Sequence, residues 1–194
     1  MPETPAPTAD RAPRADARRN RERLLAVARV VVAEQGTDAS LRDIARRAEV
    51  GLGTLYRHFP TREALLESLL RDRFDTLAAR AETLASDAPP YEALTTWLRE
   101  FVEGARAYRG LAASMMATVN DETSPLSASC HTMRAAVGRL LERAQAAGRV
   151  RADIDRTDLF ALANALSWIT DQAPSLEERR DHLFALVLDG LAPR

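Results

Sequence analysis

Lysine is absent from this chain: all 27 basic residues are arginine. Cys130 is the only cysteine, so an intrachain disulfide framework is excluded and a reducing cytosol is the natural setting. Aromatic residues make up only 5% of the chain, alanine and leucine dominate, and no strand-like alternation competes with helix. Long apolar runs are missing too. The longest uncharged one, Leu159 to Ile169, is about half of the roughly 20 residues needed to span a bilayer. Near the N-terminus, Pro2, Pro5, Pro7 and Pro13 are interspersed with charges and form no apolar signal-peptide core. These absences predict a cytoplasmic protein without a membrane partner.

Catalytic patterns are equally scarce. The three histidines, His58, His131 and His182, are scattered, and the only Gly-x-Gly is Gly51–Gly53. Cys130 and His131 are neighbours, which on a helix point about 100° apart and suit no nucleophile–base pair. No metal-ligand spacing or phosphate loop stands out, so the expectation is no enzyme, no metal site and no cofactor.

What is present is helix periodicity and an uneven charge distribution. Residues 1–62 hold twelve Arg against eight acids, and residues 63–194 fifteen against twenty, within an overall charge of −1. A basic N-terminal part on an acidic remainder suits a nucleic-acid-binding head on a body not drawn to phosphate. Residues 1–16 read as a disordered Pro-rich basic arm, 17–62 as the head and 63–194 as the body. The spacing predicts a first helix over Arg18–Gln35 stopped by Gly36, and a long helix from Thr61 to about Ser86. Single helices are expected over Gly110–Val119 and over Ser175 to about Leu191, the latter with a Ser175–Glu178 capping box. The whole reads as an all-α fold of about nine helices.

The centre of the pattern is Ala39–Leu66. Ser40 caps a short amphipathic helix with Leu41, Ile44 and Ala45 on one face. A tight connection at Ala48–Gly51 leads to a second short helix, then to Pro60 and a new cap at Thr61. Two short helices joined this way outline a helix-turn-helix, whose second helix fits the DNA major groove. The stretches RERLLAVARVVVAEQG, SLRDIARRAEV and GTLYRHFPTREALL, from Arg21 to Leu66, resemble the N-terminal domain of TetR-family transcriptional regulators. That resemblance implies a helical ligand-binding and dimerisation body, and usually a repressor released from DNA by a small molecule. One departure is visible: the family commonly has Ala-Gly-Val in the turn, where this chain has Ala48-Glu49-Val50. A positive φ at Glu49 would cost on the order of 1 kcal/mol.

In the second helix Val50, Leu55 and Phe59 should turn inward, leaving Leu52, Gly53, Thr54, Arg57 and His58 outward. Gly53 lets the backbone approach DNA, Thr54 and Arg57 can reach base edges, and Leu52 can touch a thymine methyl. The resemblance assigns Tyr56, His58 and Arg62 mainly to phosphates, which their donors suit. Arg18, Ser40 and Arg42 complete the expected set. The partner implied is a palindromic double-stranded operator, read by a homodimer.

The last two long helices are apolar on two faces, so one face should be buried in the chain's own core and one against a second copy. Leu159, Leu162, Leu166, Leu183, Phe184, Val187 and Leu191 are the expected interface. Phe74, Trp97, Phe101, Tyr108, Met115, Met116, His131, Asn164 and Trp168 are the candidates for a mostly apolar ligand cavity with a few polar anchors. Two alternatives stand beside this reading. One is a regulator of the same type with no small-molecule effector; the other responds to thiol oxidation at Cys130.

Overall fold

In a computed structural model that describes residues 11–105, 108 and 110–193, every regular element is a helix. α1 (Arg11–Gln35) begins seven residues before the expected start. Residues 11–16, expected to belong to the arm, are therefore helical. Pro13 falls in the first turn, where its missing N–H has no partner to lose, and Ala and Arg propagate helix well. The rest of the arm, residues 1–10, lies outside the described residues. Gly36 ends α1 at φ +76°, its N–H donating to Val32 O at 2.8 Å.

Caps then set the phase of the head. Ser40 Oγ accepts from Asp43 N at 3.4 Å and opens α2 (Leu41–Arg47). Gly51 precedes α3 (Leu52–His58), and Thr61 Oγ1 accepts from Ala64 N at 3.1 Å to open α4 (Arg62–Asp87). Pro90 begins α5 (Pro90–Ala105), which turns back along α4. The expected helix over Gly110–Val119 breaks at Met115 into two short turns, α6 (Leu111–Ser114) and α7 (Met116–Asn120). Ser124 both caps α8 (Pro125–Ala146) and donates its hydroxyl to Thr118 O at 2.6 Å, so one side chain ties α7 to α8.

α9 (Arg156–Gln172) opens on a reciprocal box in which Asp155 accepts from Asp158 N and Asp158 accepts from Asp155 N, each at 3.0 Å. The Ser175–Glu178 box expected for the last helix is not what forms. Pro174 takes the first helical position, so Ala173 is the cap, and α10 (Pro174–Glu177) ends at Glu178 before α11 (Arg180–Gly190) begins.

Two cores stack along α4. The lower one gathers Leu24, Ala28 and Val31 of α1, Ile44 of α2, Leu55 and Phe59 around α3, and Leu65 and Leu69 of α4. It does not stop with the helix-turn-helix: Leu111, Met115 and Leu126 close it from above. The upper core joins α4, α5, α8 and α9 around Trp97, Leu94, Val137, Leu140 and Phe160. Trp97 stacks on Phe101 at 5.4 Å and meets Phe160 edge-on at 6.1 Å, while its indole N–H donates to Leu77 O at 2.8 Å. Phe74 packs against both cores, so α4 is the shared wall between head and body.

Candidate DNA-reading face and body cavity

The α2–α3 connection is fixed by backbone. Ala48 N donates to Ile44 O, and Val50 N to Ala45 O at 3.0 Å, which forces the residue between them into the left-handed region. Glu49 stands there at φ +55°, as the turn requires, and bears the strain a glycine would avoid. The result plants α3 through Leu55 and Phe59, both fully buried, each contributing about 1.5–3 kcal/mol of apolar burial. The Arg21 guanidinium lies over the Phe59 ring at 5.5 Å and seals it from solvent.

On the outward side of α3, Leu52 still packs partly against the lower core and His58 lies beside the Phe59 ring, whereas Gly53, Thr54, Tyr56 and Arg57 have no such role. Gly53 and Arg57 are exposed, Leu52, Thr54 and His58 half-buried, and the Tyr56 phenol is 46% exposed. Nothing in the fold demands a glycine at 53: its φ is not positive, and a Cβ there would meet no atom within 4 Å. A bare backbone at that point suits an external surface that must come close.

The flanking cations divide into two groups. Arg47 pairs with Glu34 at 2.8 Å and Asp43 at 2.9 Å, and the hydrogen bond to Glu34 is the main cause that raises its pKa. Arg46 also pairs with Asp43 and, as the largest influence, holds that carboxyl below its usual range. Arg62 donates to Thr37 O at 3.3 Å, fastening the start of α4 to the loop before α2. Arg18 faces Glu22 at 3.5 Å in an exposed pair. Arg42 and Arg57, by contrast, are exposed with no ion partner among the described residues. The Ser40 oxygen is spent on its cap, which leaves its O–H free to donate.

In the body the structure gathers three of the nine expected cavity residues. Phe101, Tyr108 and Asn164 meet around a cavity of about 70 Å³, together with Leu70, Arg73, Leu77 and Ala105. Trp97 is sealed in the aromatic cluster, Met115 is buried in the lower core, and Phe74 packs between the cores. Met116, His131 and Trp168 are exposed. Sequence reasoning missed Arg73, although a signal existed: it interrupts an apolar stripe at helical spacing between Leu70 and Leu77. Beside the cavity, Arg29 of α1 pairs with Asp72 at 2.6 Å and lies against the Tyr108 hydroxyl, whose pKa is raised chiefly by burial. One side chain of the head thus touches the wall of the body cavity. Cys130 is buried, and burial pushes its thiol pKa up, which disfavours the reactive thiolate.

The expected dimer face is also redistributed. Leu159, Phe184 and Leu191 are buried in the chain's own core, Phe184 beneath the Arg99 guanidinium at 4.7 Å. Leu159 and Phe184 lie against Leu98 and Val102 of α5, and Leu191 is buried in the same core, so these three side chains are covered by their own chain. Leu162, Leu166, Leu183 and Val187 instead line an open apolar groove of about 480 Å³ between α9 and α11, joined by Ile169 and Leu186. Among the described residues no helix is long and apolar enough to cross a membrane.

Known proteins resemble this arrangement at both ends. Residues 24–69 match bacterial regulatory proteins of the tetR family, and residues 89–193 the C-terminal domain of SbtR-like transcriptional regulators. A crystal structure of a TetR transcriptional regulator from Streptomyces coelicolor is 41% identical, with a TM-score of 0.71 over 89% of this chain and 98% of that one. The transcriptional repressor KstR of Mycobacterium tuberculosis is 28% identical over 173 residues, 82% of this chain and 76% of its own length. KstR2 of Mycolicibacterium smegmatis is 36% identical over 96 residues, a match that spans 48% of this chain and 42% of that repressor. With head and body both matched, this chain belongs to the TetR family of bacterial DNA-binding transcriptional regulators.

Proposed function

We propose that the protein is a homodimeric repressor that binds a palindromic operator and leaves it when a small, mostly apolar molecule occupies the body. The observation that carries the DNA half is the outward side of α3, where Gly53, Thr54, Tyr56 and Arg57 are presented without internal use. In this reading Arg57 and Thr54 reach base edges. Tyr56, His58, Ser40 and Arg42 contact phosphates, and Leu52 meets a thymine methyl. Arg62 acts at one remove by holding the first turn of α4 in place.

A second copy is the occupant we assign to the α9–α11 groove. Exposed Leu162, Ile169 and Leu186 make a continuous apolar face on the last two long helices. Two such faces joined by a two-fold axis form a four-helix contact and set two α3 helices on one side of the dimer. Release follows from the shared wall: a molecule in the cavity pushes on α4 and on Tyr108, against which Arg29 of α1 rests. The names of the KstR relatives support repression as the direction of control.

Selection of duplexes from a randomised library tests the operator part. The expected winners carry two-fold related half-sites about one helical turn apart or a multiple of it. Winners without two-fold symmetry would remove the dimeric reading.

A further inference from the structure

We propose that the body cavity is an acid-binding site: its ligand carries a carboxylate that pairs with Arg73, above a short apolar body lying on Leu70, Leu77 and Phe101. The proposal rests on reading that cavity as the effector site and adds the charge of the effector.

Arg73 is a cation placed on the apolar side of α4, between Leu70 and Leu77, and it lines the cavity. Burial lowers its pKa despite the nearby Tyr108 and Glu100. Yet no carboxylate within ion-pair distance answers it among the described residues. Glu100 is taken by Arg80, which grips it through Nε and Nη2 at 2.8–3.0 Å. Asp72 is taken by Arg29 at 2.6 Å. Arg73 retains only a neutral acceptor, donating to Glu100 O at 2.8 Å, and the Tyr108 ring at 5.9 Å. With five donors and one carbonyl partner, the part-buried guanidinium keeps donors that a ligand can engage.

The chain also makes room for it. Gly104 lies beneath the guanidinium, and a Cβ at that position would come within 2.6 Å of the Arg73 Cζ. A glycine near the end of α5 costs helix stability, and here it seats a flat cation against backbone. The remaining wall supplies what a carboxylic acid needs besides charge. Tyr108 offers a hydroxyl, Asn164 keeps its amide oriented by donating to Phe160 O at 2.8 Å, and the other lining is apolar. At about 70 Å³ the cavity accommodates a carboxylate with one or two further carbons rather than a ring. A purely structural alternative exists, in which Arg73 only ties α4 to α5. It predicts no discrimination between acids and their amides.

Calorimetric titration of the protein with sodium acetate and sodium propanoate, against acetamide and propanamide, separates these readings. The acids should bind and the amides should bind at least about thirtyfold more weakly, as expected when a buried charge pair is lost. Arg73→Met should abolish that preference while operator affinity and helix content persist. Gly104→Ala, which displaces the guanidinium without removing it, should weaken the acids and spare the amides. Amides binding as well as acids, or Arg73→Met retaining the preference, would overturn the charge assignment and leave the effector cavity standing. Binding of neither series would overturn the acid site, and release of the selected operator by some neutral compound would then still uphold the effector reading.

Discussion

Head and body solve different problems with the same kind of helix. The head holds α3 by fully buried Leu55 and Phe59, which leaves Gly53, Thr54, Tyr56 and Arg57 outward. The body leaves apolar surface open on α9 and α11, and it confines a cation that its own carboxylates do not answer. A reading surface is thus a rigid element with spare polar groups. On the proposed reading, the body is a switch whose packing a second copy and a ligand would complete.

The largest expected effect breaks the body side of this contrast. Leu162→Asp with Leu186→Asp places charges in the proposed four-helix contact. Sedimentation should show monomer, and operator affinity should fall at least about a hundredfold as two-headed binding is lost, with helicity retained. A variant that stays dimeric would move the interface elsewhere. Next comes Arg57→Ala, which touches only the head. Loss of one bidentate base contact is worth about 1–3 kcal/mol, a fall in operator affinity of roughly five- to 150-fold by fluorescence anisotropy, with the melting temperature unchanged.

Smaller still is the difference between two arginines of α2. Arg42 is exposed and without an ion partner among the described residues, whereas Arg46 is engaged with Asp43. Arg42→Ala should lower the slope of log affinity against log salt by about one, and Arg46→Ala by clearly less. Equal slopes for the two would mean that the Asp43 pair opens on DNA. The smallest effect is at the turn. Glu49→Gly relieves a positive φ but loosens the unfolded chain, so a gain of at most about 1 kcal/mol is expected in urea unfolding.

Local features were legible in the sequence, and choices between faces were not. Ser40, Thr61 and Ser124 cap where their spacing places them, because a cap bonds within three residues of itself. Glu49 takes the positive φ that its place in the turn implies. Leu159, Phe184 and Leu191 belong to the expected interface because a helix apolar on two sides does not say which side its own chain covers; the upper core covers all three. Ser175 has the residues of a capping box, but Pro174 before it starts the helix and moves the cap two residues back, to Ala173. Arg73 escaped notice for a related reason. A charged residue on an apolar stripe looks like an interruption until Gly104, thirty-one positions later, is seen to make its seat.

The central claim is that the outward face of α3 reads bases for a two-fold dimer, and one measurement reaches it directly. Wild-type protein and Arg57→Ala are titrated against the selected operator and against duplexes carrying each single base-pair change through both half-sites. The account predicts that Arg57→Ala loses its preference at one base pair in each half-site, related by the two-fold axis, while discrimination elsewhere persists. A uniform loss of affinity on every duplex, with all preferences intact, would contradict it and reduce Arg57 to a phosphate contact.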